Sequence, residues 1–264
     1  MTDAAAPAPE PSKATAAPEQ MSWDSRTRRM VTIYLPLAIF VIVLLFPFYW
    51  MTVTSFKPNA ELYDYKKYNP FLIGSPTLQH IKHLLFGTAY PHWLVTTMIV
   101  AVCSTTLSLF SSVLAAYALA RFKFPGRRMA LSGMLLTQMF PGTLMMVPLY
   151  AILDRLNLLD QLAGLVLVYA TTSVPFSVWM LKGYFDTLPK DLEEAALMDG
   201  ANRAQILWRV VLPLARPGMA VTALFSFMTA WNEYIMAAKF MNREVSYTLP
   251  VVLAQYVGAK STAW

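Results

Sequence analysis

Charge is scarce in this chain of 264 residues: Asp, Glu, Lys and Arg supply 14% of it, against 56% hydrophobic residues. A soluble domain carries about 25% charged residues, so a surface covered by water is excluded. Cysteine is almost missing. Cys103 stands alone, which rules out a disulfide within the chain and says nothing about redox compartment. His80, His83 and His92 fall in or beside one segment with no acids or cysteines gathered round them. His80 and His83 share a helix face, but two ligands are too few for a structural metal site, and no metal is expected. No G-x-x-x-x-G-K-[ST] phosphate loop occurs, so this chain is not expected to bind ATP, and no other cofactor is assigned. Without a nucleophile–base constellation no catalytic residue is named, and the chain is not read as an enzyme.

The charges that exist cluster, and they leave long uncharged runs at 30–56, 93–120, 129–153 and 161–181. Each exceeds the roughly 20 apolar residues that cross a hydrocarbon core about 30 Å thick. A fifth stretch, 217–238, is apolar apart from Asn232 and Glu233. In lipid the backbone must satisfy its own hydrogen bonds, and a closed barrel needs an alternating pattern that these runs lack. The expected fold is all-α, a polytopic helical bundle with five spans in a lipid bilayer.

The net charge of +6 is placed to orient those spans. Lys13, Arg26, Arg28 and Arg29 precede the first run, and Arg121, Lys123, Arg127 and Arg128 crowd the join between the second and third. Lys182, Lys190, Arg203, Arg209 and Arg216 lie between the fourth and fifth, while the loop 154–160 sets Arg155 beside two aspartates. The positive-inside rule puts the N-terminus, 121–128 and 182–216 in the cytoplasm, with 57–92 as an extracytoplasmic loop despite its four scattered lysines. Cations spent on orientation argue against a nucleic-acid partner. Residues 1–29, opening on an Ala/Pro-rich stretch, read as a disordered cytoplasmic tail. The run 30–56 is too long for a signal-peptide core and no small-x-small site follows it, so it is expected to stay as an anchor.

Within the second run, "STTLSLFSSVLAAYALA" is dense in Ser, Thr and Ala, which lets helix backbones approach closely. Pro141-Gly142 and Pro148 should bend the third span, and Pro175 the fourth, either around a cavity or as packing kinks. Glu233 lies about 16 residues into the fifth run, roughly 24 Å along a helix rising about 1.5 Å per residue. That places it near the outer interface, where it serves a pathway or gate with Trp231 and Asn232, snorkels, or pairs with Lys239. Tyr150, Trp179 and Trp231 near span ends are read chiefly as interfacial anchors.

Between the fourth and fifth runs lies "TLPKDLEEAALMDG". Thr187 is a plausible cap, Pro189 suits a first turn, and Asp191, Glu193 and Glu194 sit near the positive helix end. Leu188, Leu192, Ala195 and Ala196 make one apolar stripe; Glu193, Glu194, Leu197 and Met198 occupy the other side. Gly200 stops the helix in the left-handed conformation. Asn202 with Gln205 resembles a capping box for a second helix, in which Ile206, Leu207, Val210 and Val211 share a face. The result is a short helix–turn–helix that either docks a partner or merely joins two spans.

The spacing Glu194-Ala195-Ala196, three residues, Gly200, nine residues, then Val210-x-Leu212-Pro213 resembles the "EAA" loop of the membrane subunits of ABC importers, with Val for the usual Ile. "NPFLIGSPTLQHIKHLL", "AAYALARFKFPGRR", "QMFPGTLMMVPLYAILDRLNL" and "TALFSFMTAWNEY" are similar to the carbohydrate branch, most of all the smaller permease of maltose/maltodextrin importers. The resemblance runs from about residue 30 to the end.

It implies a type I ABC importer permease fold in a bacterial inner membrane. The permease core is expected over 93–264, with a coupling loop at 183–216. That loop would dock on a dimeric ATP-binding subunit through Glu193, Glu194, Ala195, Ala196, Leu197, Met198 and Gly200. A larger homologous permease would complete the pathway, and an extracytoplasmic sugar-binding protein would deliver substrate, meeting Gln255 and Tyr256. The family usually has a sixth span; this chain stops at Trp264 after five, so its C-terminus is expected to be incomplete. Malto-oligosaccharides are the expected substrate, with trehalose, other oligosaccharides or glycerol phosphate behind. The rival reading is a secondary transporter without an ATPase, disfavoured by the lack of midplane charges and of an evident inverted repeat.

Overall fold

The computed structural model describes residues 26–64 and 67–258. Residues 1–25 of the tail expected over 1–29, Lys13 included, and the final residues 259–264 lie outside the described residues. The chain divides into two compact units, Met1–Ile81 and Lys82–Trp264.

In the first unit, helix α1 (Met30–Ser55) has a mean hydropathy of 2.6. A helix apolar on every side suits lipid rather than a half-wetted surface. Arg26–Arg29 is already helical and runs into α1, so these arginines extend the helix instead of closing the expected tail. Beyond α1 the chain is tied to itself by two buried charges. Lys57, 2% exposed, donates from Nζ to the carbonyls of Asn69 and Pro70, both at 2.8 Å. Glu61 accepts the Gly74 amide at 3.0 Å, and His80 Nε2 meets the Lys57 carbonyl at 2.9 Å. Burying either charge is tolerable because backbone groups take it up.

In the second unit α2 (Tyr90–Arg121), α5 (Leu162–Thr187) and α7 (Arg203–Asn232) pack together. The reason is legible along α2, where Thr97, Ala101, Ser104, Ser108, Ser112 and Ala116 recur every three or four residues and are all buried. Small side chains on one face bring backbones close, as the Ser/Thr/Ala-rich run predicts. Ser177 on α5 and Ser226 on α7 meet across the interface at 3.1 Å. The core has two clusters. One gathers Tyr117, Phe185, Ile206 and Val211 near the helix–turn–helix; the other gathers Val100, Leu165, Tyr169, Phe240 and Val251 towards the opposite end.

Two spans differ from the sequence reading. The third is no single bent helix: α3 (Arg127–Met139) and α4 (Gly142–Arg155) meet at 103°. Phe140 and Pro141 both have extended ψ, 130° and 129°, because a residue before proline is pushed out of the helical region and proline itself offers no N–H. Pro148 stays inside α4 and Pro175 inside α5. The fifth span starts earlier than the run 217–238: α7 begins at Arg203 and ends at Asn232. Its second turn is wound wider over Leu207–Val211, the Leu212 amide reaching back to the Leu207 carbonyl, next to Pro213, which has no amide to offer. Among the described residues four helices are long and apolar enough to cross a membrane, five if α3 and α4 count together. With no strand among the described residues, the structure is an all-helical polytopic bundle.

Close approach fixes the start of α5. A Cβ at Gly164 would lie 2.2 Å from the Leu158 carbonyl oxygen. Gly164→Ala is expected to cost about 1–3 kcal/mol through forced backbone movement, read as a lower thermal midpoint; an unchanged midpoint would contradict that packing.

Candidate functional site

Thr187 closes α5, its hydroxyl donating to the Tyr184 carbonyl at 2.7 Å; it does not cap the next helix as expected. Leu188 is extended, ψ 132°, as a residue before Pro189 must be. The chain therefore turns before α6 (Asp191–Met198), whose N-cap is Lys190. Asp191, Glu193 and Glu194 fill its first turn, where negative charge suits the helix dipole.

The two neighbouring glutamates part company. Glu193 is 5% exposed and accepts from Arg121 Nε at 2.5 Å and from the Tyr117 hydroxyl at 3.1 Å. Arg121 Nη2 also reaches the Leu188 carbonyl at 3.3 Å. The assignment of Glu193 to a docking surface is therefore corrected: it faces inward, held by the end of α2. This pairing sets the rotation of α6 and displaces the predicted stripe. Leu188, Ala196 and Leu197 pack on the core, whereas Leu192 and Ala195 are exposed. The outward face carries Glu194, Ala195 and Met198, the last 88% exposed. This face thus sets one carboxylate beside a methyl and a flexible thioether.

Gly200 ends α6 with φ 83°. Its amide donates to Leu197 at 3.0 Å and that of Ala201 to Ala196 at 2.9 Å, the two bonds of a Schellman stop. Nothing lies within 4 Å of a Cβ placed there, so conformation rather than space demands glycine. Asn202 and Gln205 form the predicted reciprocal capping box, each bond 2.9 Å. Ile206, Leu207 and Val211 are buried and Val210 half-buried, as their shared face required. Arg203 lies over the Phe122 ring, 5.9 Å from its centroid.

At the opposite end of the bundle Glu233 breaks the helix, ψ 125°. Its carboxylate accepts from the Met236 amide at 2.8 Å, the Ala237 amide at 3.1 Å and the Tyr169 hydroxyl at 2.5 Å. Glu233 thus caps α8 (Ile235–Phe240) and tethers it to α5, in place of the expected partner Lys239. Trp231 stacks on Phe227 at 5.5 Å, and Asn232 turns back to the Met228 carbonyl at 2.8 Å. Tyr169 escaped the sequence reading because its partner lies on another helix and no local spacing links them.

Beyond α8 a hairpin is fastened at two points. Asp160, at φ 57°, accepts from the Asn242 amide and, at 3.2 Å, from the Arg243 amide, while Arg243 Nη2 donates to the Asp160 carbonyl at 2.8 Å. The hydrogen bond from the Asn242 amide, helped by that from the Arg243 amide, holds the Asp160 carboxyl below its usual range against the opposing effect of burial. On α2, Trp93 Nε1 donates to the Glu244 carbonyl at 3.1 Å, His92 Nε2 lies 2.8 Å from the Val245 carbonyl, and Thr97 accepts the Leu249 amide at 2.7 Å. These bonds present α9 (Leu249–Gly258), on which Gln255 and Tyr256 are both exposed. Among the described residues no three His, Cys, Asp or Glu gather as a metal site.

A bundle of close-packed apolar helices, bearing an amphipathic helix–turn–helix at one end and a fastened hairpin at the other, is the architecture of an all-helical polytopic membrane protein. Residues 108–259 match the family described as binding-protein-dependent transport system inner membrane component, and the chain belongs to that family. It is 36% identical over 247 residues to the inner membrane ABC transporter permease protein YcjP of Escherichia coli, covering 92% of this chain and 87% of that one. It is 35% identical over 227 residues to the diacetylchitobiose uptake system permease protein DasC of Streptomyces coelicolor, covering 86% and 81%. A crystal structure of a bacterial ABC transporter involved in the import of the acidic polysaccharide alginate superposes with a TM-score of 0.78 at 28% identity, covering 88% of this chain and 82% of that one. The chain is thus an ABC importer permease, which sets aside the secondary-transporter reading.

Two outcomes test this geometry. Gly200→Val places a β-branched residue at positive φ and is expected to cost about 1–2 kcal/mol, with faster hydrogen exchange at the 197–202 amides; unchanged exchange would contradict the Schellman stop. Asp160 has a folded pKa below its unfolded value, so its contribution is present above the unfolded pKa of about 3.9 and is lost as pH falls through the folded value. Exchange at the Asn242 and Arg243 amides should therefore be as slow at pH 5 as at pH 7, once corrected for intrinsic rate, and Asp160→Asn should speed it at both.

Proposed function

We propose that this permease serves an ATP-driven sugar importer, and that α6 with its Gly200 stop is the handle by which an ATP-binding subunit moves it. The carrying observation is the exposed face Glu194–Ala195–Met198, held rigid by a Schellman stop and a capping box. A C-terminal end closed by the two Schellman bonds resists fraying, so a push on that face is transmitted instead of absorbed. Glu194 supplies the polar contact and Ala195 admits close approach, with Met198 filling an apolar recess on the partner.

In this reading the N-terminus and the 182–216 segment face the cytoplasm of a bacterial cell, and a larger homologous permease completes the pathway above a dimeric ATPase. ATP closes the ATPase pair, and the handles move together. Because the nucleotide binds one arrangement more tightly than the other, the pathway switches between inward- and outward-facing states. A sugar-binding protein docks on the opposite face, where Gln255 and Tyr256 stand clear of the bundle. Trp231, Asn232 and the Tyr169–Glu233 pair form the gate region.

The substrate class is carbohydrate, supported by relatives named for diacetylchitobiose, trehalose and maltodextrin. Maltose or maltodextrin is the finer proposal, resting on the sequence resemblance. Glu194→Lys reverses the charge of the handle at an exposed site, so insertion and folding should persist while sugar uptake driven by ATP falls at least about tenfold, equivalent to about 1.4 kcal/mol. Reconstituted uptake measured beside ATP hydrolysis decides it: full uptake in that variant would remove the handle.

A further inference from the structure

We propose that the buried Arg121–Glu193 pair is the joint through which the handle moves α2, so that these two are positioning residues for coupling and not docking contacts. The inference rests on the coupling role of α6 proposed above. The chain joins α6 to α5 through the three-residue turn Leu188–Lys190, which sets the direction of α6 but does not tie it to α2. That tie comes from elsewhere. Both side chains of the pair are nearly sealed from solvent, 5% and 6% exposed, with Nε and Oε1 2.5 Å apart.

Two further bonds converge on the same joint. Tyr117 donates to the second Glu193 oxygen at 3.1 Å, and Arg121 Nη2 clamps the Leu188 carbonyl at 3.3 Å, just before the handle begins. Arg203, the first residue after the Asn202 cap, lies over Phe122. Both helices of the helix–turn–helix therefore grip residues 117–122, where α2 ends. Separating a buried pair leaves two uncompensated charges in a medium of low dielectric, so the pair resists opening while Ala196 and Leu197 merely slide on apolar neighbours. The far end of α2 holds the outer hairpin through His92, Trp93 and Thr97. A displacement of α6 is thereby delivered to a single helix that runs the full height of the bundle.

The test uses the assembled transporter in proteoliposomes. Glu193→Gln keeps volume and can still accept from Tyr117; Arg121→Met keeps much of the packing. Each is expected to lower sugar transported per ATP hydrolysed at least about fivefold, while the ATPase still copurifies. The double variant should be no worse than the worse single, because the two act as a unit. Hydrogen exchange at the 193–198 amides should rise in step. If both singles assemble and keep the wild-type ratio, the joint is overturned while the handle stands, provided Glu194→Lys still uncouples. If Glu194→Lys is also silent, the handle itself has failed. Lower yield and thermal midpoint with an unchanged ratio would reduce the pair to a structural contact and overturn the proposal. Should Arg121→Met assemble poorly, the ratio in Glu193→Gln decides.

Discussion

Inside hydrocarbon, a backbone amide or carbonyl that leaves a helix has no water to turn to. That constraint explains where this chain interrupts its helices and what stands at each interruption. Pro141 contributes no amide where α3 and α4 part at 103°. Glu233 takes the two amides freed where α7 stops. The segment proposed to lie in the cytoplasm is closed just as fully: Gly200 ends α6 with a Schellman stop, Asn202 opens α7 with a capping box, and the wider turn at Leu207–Val211 accommodates the missing amide of Pro213. Each break is thereby made rigid instead of loose, which suits a protein that must move in blocks.

What the blocks share is α2. At 32 residues it is about 48 Å long at about 1.5 Å per residue. Its small-residue face lets α5 and α7 pack close along much of that length, and its two ends are occupied differently. One end offers Tyr117 and Arg121 to the handle; the other offers His92, Trp93 and Thr97 to backbone groups of the hairpin. The core divides correspondingly into two clusters. In the proposed coupling, such a division would let a shift at one end pass along α2 as a block movement.

The architecture was readable from the sequence because its signals are local. Uncharged runs gave the spans, the Ser/Thr/Ala density of 104–120 gave close packing, and Gly200, Asn202 and Gln205 gave the helix–turn–helix with its caps. What escaped was non-local. The inward turn of Glu193 depends on Arg121, 72 positions away, and the saturation of Glu233 on Tyr169, 64 positions away. A helical wheel places Leu192 and Ala195 on the buried stripe because it counts only grease. Here a buried ion pair fixes the rotation and leaves both outside. The break at Phe140–Pro141 was signalled by proline, but its size was not, since proline alone permits anything from a kink to a reversal.

Glu193 and Glu194 are the same residue type in adjacent positions, yet 100° of helix rotation assigns them opposite fates. Burying a carboxylate with a guanidinium seldom adds much stability over an apolar pair, because desolvation offsets most of the attraction. Its distinctive property is directional. An apolar contact between α6 and α2 could slip by a fraction of an ångström at little cost, whereas a pair with three converging hydrogen bonds has one arrangement. In the proposed coupling, the carboxylate that would meet the ATP-binding subunit needs a neighbour that does not face that partner at all. Glu194 would then transmit force only as faithfully as Glu193 beside it is held.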